Sequence, residues 1–278
     1  MFCLLIIHHI KGHFFFLSSS TFPSLVITAL CLCPSLLFAQ QEGVPGHKIT
    51  LGTYWSSGDY GVRDDTDIFF IPLSYELSYF PWIITVTVPY LGLEGPGDVF
   101  LETGNIGSNT GNGEFIDQDG VGDTVLSATY QFEPLFKDRV FMDLTLETKF
   151  PTADEQADLG TGEQDYAAKL DFYVSQGKAT WFSTLGYRYR GKTALYDLED
   201  SIFASLGYMR QMSDKSYLGL LYDYRERASG NGFESHEIMP FVTHNLTEKI
   251  TLMAYTIIGF TNSSADRTLG LQVSYAFQ

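Results

Sequence analysis

Residues 267–277 read RTLGLQVSYAF and alternate without a break. Leu269, Leu271, Val273, Tyr275 and Phe277 fall on one face; Thr268, Gly270, Gln272, Ser274 and Ala276 fall on the other. A period of two is that of a β-strand, whose successive side chains point to opposite sides. The polar face is small and neutral, unlike the Lys/Glu surface of a strand exposed to water. It suits a strand with lipid on one side and a crowded, wet interior on the other.

The same grammar recurs upstream. Alternating runs are expected at 48–56, 67–77, 83–91, 123–132, 140–150, 166–176, 180–190, 201–212, 216–225, 234–246 and 250–260. In 67–77, for instance, Phe69, Ile71, Leu73, Tyr75 and Leu77 share a face. The runs 234–246 and 250–260 are strand-like but mixed, and their faces cannot be assigned by alternation. With the closing strand the count is about twelve, an even number as bacterial single-chain barrels have. The connectors alternate in length: long at 57–66, 92–122 and 151–165, medium later, with short ones between. That rhythm points to an all-β, transmembrane, antiparallel up-and-down β-barrel with both termini on the short-turn, periplasmic side. Tyr75, Tyr79, Trp82, Tyr90, Tyr130, Tyr187, Tyr189, Tyr208, Tyr222 and Tyr224 fall near strand ends, where amphipathic rings meet lipid headgroups.

Composition narrows the function. A net charge of −16 leaves no basic surface for nucleic acid. Residues 25–38 (LVITALCLCPSLLF) form an apolar run too short to span a bilayer, closed by Ala39 before Gln40-Gln41. Residues 1–39 are therefore expected to be a removed signal peptide and 40–278 the barrel. All three cysteines, Cys3, Cys31 and Cys33, lie in the leader. Leu30 and Leu32 before the last two argue against a lipoprotein.

Several short motifs follow one another along the chain: Gly120-Val-Gly-Asp123, Lys149-Phe-Pro-Thr152, Leu159-Gly-Thr-Gly162, Asp165-Tyr166, Leu185-Gly-Tyr187, and Gly259-Phe-Thr-Asn-Ser-Ser-Ala-Asp266 with Ser274-Tyr-Ala-Phe277. In that order they resemble the outer-membrane barrels grouped as the meta-pathway phenol-degradation, or transporter, family. Its members usually end on the aromatic itself, whereas Gln278 follows Phe277 here. The resemblance implies passage of small, aromatic or otherwise weakly polar solutes across the outer membrane of a Gram-negative bacterium.

Asp143, Glu147, Lys149, Lys169, Asp171, Arg188, Arg190, Asp223 and Arg225 lie on faces assigned to the interior. A charge facing lipid at mid-depth costs roughly 2–4 kcal/mol, so these are expected to line the pore. They would either impose a transverse field on solutes or pair up and fill the barrel. The function expected is a narrow channel; the alternatives are a plugged structural or binding barrel and an outer-membrane lipid hydrolase. The hydrolase lacks its geometry: Ser235 and His236 are adjacent and so diverge, and Glu234 and Ile238 stand two from His236. No enzyme chemistry and no cofactor are expected. Asp117-Gln-Asp119-Gly120 opens like a calcium loop, but its twelfth position is Ala128, where a bidentate Glu is needed. Acidic connectors (Asp59, Asp64 and Asp65; Glu94, Asp98, Glu102, Glu114 and Asp117; Asp154, Glu155, Asp158 and Glu163) suggest loose divalent bridging to lipopolysaccharide. The expected partners are outer-membrane lipid, a small-molecule solute, and the barrel-assembly machinery through the C-terminal strand.

Overall fold

The computed structural model describes residues 44–60, 65–96, 100–101, 104–105, 115–136, 139–153, 159–193, 198–230 and 232–278. The leader expected at 1–39 lies outside them. Thirteen antiparallel segments form one sheet, and its ends join. Two segments, Phe115–Val121 and Thr124–Gln131, are successive parts of one strand beside the same neighbour, so the barrel has twelve strands. They are β1 (Gly46–Gly58), β2 (Thr66–Tyr79), β3 (Trp82–Pro96), β4 (the two segments), β5 (Val140–Phe150) and β6 (Asp165–Gln176). There follow β7 (Ala179–Tyr189), β8 (Ser201–Gln211), β9 (Ser216–Arg225), β10 (Ser235–Asn245), β11 (Ile250–Gly259) and β12 (Arg267–Phe277). The described residues contain no helix.

Closure falls where RTLGLQVSYAF meets the first strand. His47 pairs with Phe277 and the register runs unbroken to Ser57 with Arg267. The His47 and Phe277 rings stack at 5.3 Å between centroids. No sheet edge is left along this seam, so the backbone groups of β1 and β12 are satisfied within lipid.

Alternation governs the strands, with an interruption in β4. Along β12, Leu269, Leu271, Val273 and Tyr275 are exposed, while Thr268, Gly270, Gln272 and Ser274 are buried. The exposed large apolar residues recur on all twelve strands and form a continuous outer belt. Soluble proteins do not leave such a surface bare, so the belt faces lipid. Two aromatic girdles bound it. On the short-turn side, Trp82 packs edge-on against Tyr130 at 5.1 Å and Trp181 lies 4.8 Å from Tyr208. On the long-loop side stand Tyr90, Tyr187, Tyr189 and Tyr222.

One expectation changes. The connector between β3 and β4 is shorter than 92–122, because Gly92–Pro96 and Phe115–Val121 are strand and pair through Glu94↔Asp117 and Pro96↔Phe115. Alternation misses this extension because a bulge intervenes. Tyr90 pairs with Val121 but Thr87 with Val125, so β4 carries one extra residue at Gly122-Asp123. Pro89 opposite has no N–H to give the ladder, and Gly122 N–H bonds its carbonyl at 2.9 Å. The bulge reverses which side chains face out, so one period cannot describe the whole strand. It also explains why Asp117-Gln-Asp119-Gly120 is no calcium loop: these residues lie in strand, and the Tyr90 hydroxyl donates to Asp119.

Candidate functional site: the barrel interior

All nine charged residues singled out from the sequence point inward. Asp143, Lys149, Lys169, Asp171, Arg188, Arg190 and Asp223 are buried, and Glu147 and Arg225 are half-buried. They do not form one array. Three groups occupy β4–β7 and a fourth lies across β9 and β10.

The first group closes around Lys149. Its ammonium lies 3.1 Å from Asp123 and 3.0 Å from Asp165, and it donates to Thr161 at 3.1 Å. Asp123, with no accessible surface, also accepts the backbone N–H groups of Thr152 and Ala153. Asp165 accepts that of Gly191. Leu159, 1% exposed, reaches into the barrel near Gly120, where an added Cβ would stand 2.8 Å from it. Four motifs scattered over Gly120–Asp165 thus meet at one point on the loop-side rim. One cation between two carboxylates, with the remaining lone pairs used by backbone donors, is how a buried charge is tolerated.

The second group spans a strand. Glu147 on β5 and Arg188 on β7 are both in register with Ala167 on β6. Alanine is too short to separate them, and the guanidinium meets the carboxylate at 3.0 Å above it. The third is at mid-height: Asp143 and Asp171 are direct cross-strand partners, Thr184 donates to Asp171 at 2.5 Å, and Lys169 stands 3.9 Å from it. Arg190 instead ties down the β7–β8 connector, donating to the Glu199 carbonyl at 2.7 Å and to Ser201 at 2.8 Å. The fourth group joins Arg225 to Glu237 at 2.9 Å and to Asp223 at 3.8 Å, with Ser235 and Ser264 completing it. Tyr60, in the β1–β2 connector, lies close to this group; burial pushes its phenol well above the usual value, against the hydrogen bond it shares with Ser56.

The opposite wall is different, and sequence reasoning missed it. Met209, Tyr217, Leu221, Met239, Phe241, Met253, Tyr255 and Ile257 on β8–β11 face inward and are buried. They belong to one apolar cluster with Ile68, Phe70, Leu91 and Leu93 on β2 and β3, which also takes in Leu159, Tyr173 on β6 and Phe182 on β7. The signal was present in the two runs whose faces could not be assigned. On β10, Met239 and Phe241 face in while Ile238 and Val242 face out; on β11, Met253 and Tyr255 face in while Leu252 and Ile258 face out. Alternation vanished there because lipid and interior are both apolar. The interior is also tight: Thr145 and Thr243 keep no accessible surface.

The candidate hydrolase pair separates as alternation requires. Ser235 is buried and bonded to Glu237 and Ser264, while His236 faces outward and shares a 2.7 Å hydrogen bond with Tyr222. Among the described residues, no three metal-capable side chains are grouped to hold an ion.

With the geometry in view, the chain is a closed barrel of the outer-membrane type. An outer membrane channel from Pseudomonas putida F1 superposes with a TM-score of 0.64 at 14% identity, covering 84% of this chain and 96% of that one. The KdgM porin gives a TM-score of 0.50 at 8% identity over 83% of this chain and 99% of its own. At such identities the likeness concerns the fold. No family model matches the chain, and no curated protein does. The resemblance to the phenol-degradation family therefore rests on the motifs, four of which converge on Lys149.

Proposed function

We propose that this protein is a narrow outer-membrane channel for small, aromatic or otherwise weakly polar solutes. The observation that carries the reading is the mixed interior, in which a buried apolar cluster richest on β8–β11 meets ion-paired side chains concentrated on β4–β7. An apolar wall lowers the cost of removing a weakly polar solute from water; the charged wall keeps the rest of the interior hydrated. The motif resemblance favours the same solute class. The lipid-facing belt and the outer-membrane character of similar barrels support a location in the Gram-negative outer membrane. Nothing in this reading needs a catalytic step.

The partners follow from the surface. Asp67, Glu94 and Asp117 stand in register on β2, β3 and β4 toward the loop-side rim. Like charges so aligned repel, which favours loose divalent bridging to lipopolysaccharide phosphate. Strand β12, ending Tyr275-Ala-Phe277, is the element offered to the barrel-assembly machinery. A cysteine at Asn262 should label from outside intact cells and one at Asp214 should not; the reverse would invert the orientation.

A plugged, solute-binding barrel is the second reading, favoured by the inaccessible Thr145 and Thr243. Planar-bilayer conductance separates the two. A channel gives discrete steps whose ion preference moves toward cations on Arg188→Glu with Arg190→Glu. Silent bilayers with verified insertion would favour the plug.

A further inference from the structure

Four inward-facing glycines on the C-terminal half of the barrel each lie beneath an aromatic ring of the adjacent strand. Gly207 pairs in register with Phe182, and Gly186 with Phe203, so β7 and β8 exchange rings reciprocally. Gly219 pairs with Phe241 across β9 and β10. Gly270 pairs with Tyr255 across β11 and β12. A Cβ built on any of these glycines would stand 2.0–2.1 Å from the nearest ring carbon, inside the ring's own volume. In each case that carbon belongs to the far part of the ring, Cζ or Cε2. The rings therefore lie along the barrel wall, with their tips over the neighbouring backbone, and do not stand out toward the axis.

All four joints belong to hairpins closed on the loop side, β7–β8, β9–β10 and β11–β12. The first of them is also tied to the charged wall: the Arg188 guanidinium lies 5.9 Å from the Phe203 ring centroid while its Nη2 holds Glu147. Phe203 is thus confined between a glycine below and a cation beside it.

We propose that these glycine seats are the size-determining elements of the interior: each parks an aromatic ring flat and so sets the free cross-section along the apolar wall. The proposal rests on the channel reading and names the residues that set its size limit. Ring and glycine act in opposite senses. Adding a methyl at the glycine evicts the ring toward the axis, because close-packed walls cannot absorb a 2.0 Å overlap. Deleting the ring leaves the glycine bare and widens the interior. Loss of a structural contact alone would make both changes act alike.

The test uses the full-length barrel refolded in detergent, with gel heat-modifiability as the check on folding. Gly219→Ala and Gly207→Ala are compared with Phe241→Ala and Phe182→Ala. Single-channel conductance and liposome swelling in glycerol and arabinose should fall several-fold in the glycine variants. Both should rise in the phenylalanine variants, with arabinose gaining more than glycerol. In the wild-type barrel, ring currents should move the Hα resonances of Gly207 and Gly219 upfield, and Phe182→Ala or Phe241→Ala should abolish the shift at the matching glycine. Should the glycine variants fail to fold, the phenylalanine variants and the resonances still decide. Wild-type silence with conduction on ring removal would sink the open-channel reading and keep the joints as the restriction. Effects of one sign in both series, no change on ring removal, or unshifted glycine resonances would overturn the proposal.

Discussion

Strands β4–β7 and β8–β11 meet the same lipid, yet most of the inward charge sits on the first set and most of the inward apolar surface on the second. On the first wall, Lys149 and Arg188 meet their carboxylates at 3.0–3.1 Å, with backbone N–H groups and hydroxyls around them, while Lys169 stands 3.9 Å from Asp171. On the second, apolar side chains and rings seated on glycine predominate, around the ion-paired group of Arg225 with Asp223 and Glu237. The difference teaches that lipid constrains only one face of a membrane strand. The interior can be polar or apolar provided every charge finds its complement.

The comparison predicts unequal tolerance to substitution. Lys149→Met should be the most damaging single change. It strands Asp123 and Asp165 as uncompensated buried charges, at a cost of about 3–5 kcal/mol. The heat-modifiability midpoint should drop sharply and recover in part when Asp123→Asn is added. An unchanged midpoint would break the claim that this wall is held by ion pairing. On the apolar wall, Met239→Gln brings an amide of similar size among apolar neighbours and should cost about 1–3 kcal/mol. It should also weaken binding of phenol, measured by quenching of intrinsic fluorescence, more than Glu147→Gln does.

A double-mutant cycle of Glu147→Gln and Arg188→Met should return a coupling clearly above that of an exposed pair, because Ala167 lets the two side chains meet inside the barrel. The smallest effect is at the rim. Burial alone would raise the Asp200 carboxyl, but the Lys192 ammonium, the Arg190 N–H and the Tyr187 hydroxyl outweigh it and hold it below the usual aspartate value. A lowered carboxylate stabilises above its unfolded pKa and loses that contribution as pH falls through the folded one. Limited proteolysis between β7 and β8 should therefore quicken below pH of about 4. Asp200→Asn should show the faster cleavage already at neutral pH.

The sequence disclosed most of this architecture wherever the two faces of a strand differ. Arg267–Phe277, Val140–Phe150 and Ser216–Arg225 have the limits their alternation implies. It was silent where the faces agree, as on β10 and β11, and where a bulge swaps them, as at Gly122-Asp123. The inward charges were legible because a Lys or Asp cannot face lipid cheaply. Their partners were not, since Lys149 with Asp123 and Asp165, or Glu147 with Arg188, depends on cross-strand register. The glycine seats were hidden for the same reason: Gly186, Gly207 and Gly219 look like neutral lumen positions until register sets a ring above each.

The most direct test of the two-sided interior is planar-bilayer recording of the purified barrel with phenol added, beside glycerol as a polar control. A channel whose apolar wall takes up weakly polar solutes predicts discrete steps that phenol interrupts in a concentration-dependent way and glycerol does not. Met239→Gln should weaken the interruption, and Glu147→Gln should alter ion preference while leaving it intact. Steps indifferent to phenol, or interrupted equally by both solutes, would contradict the account.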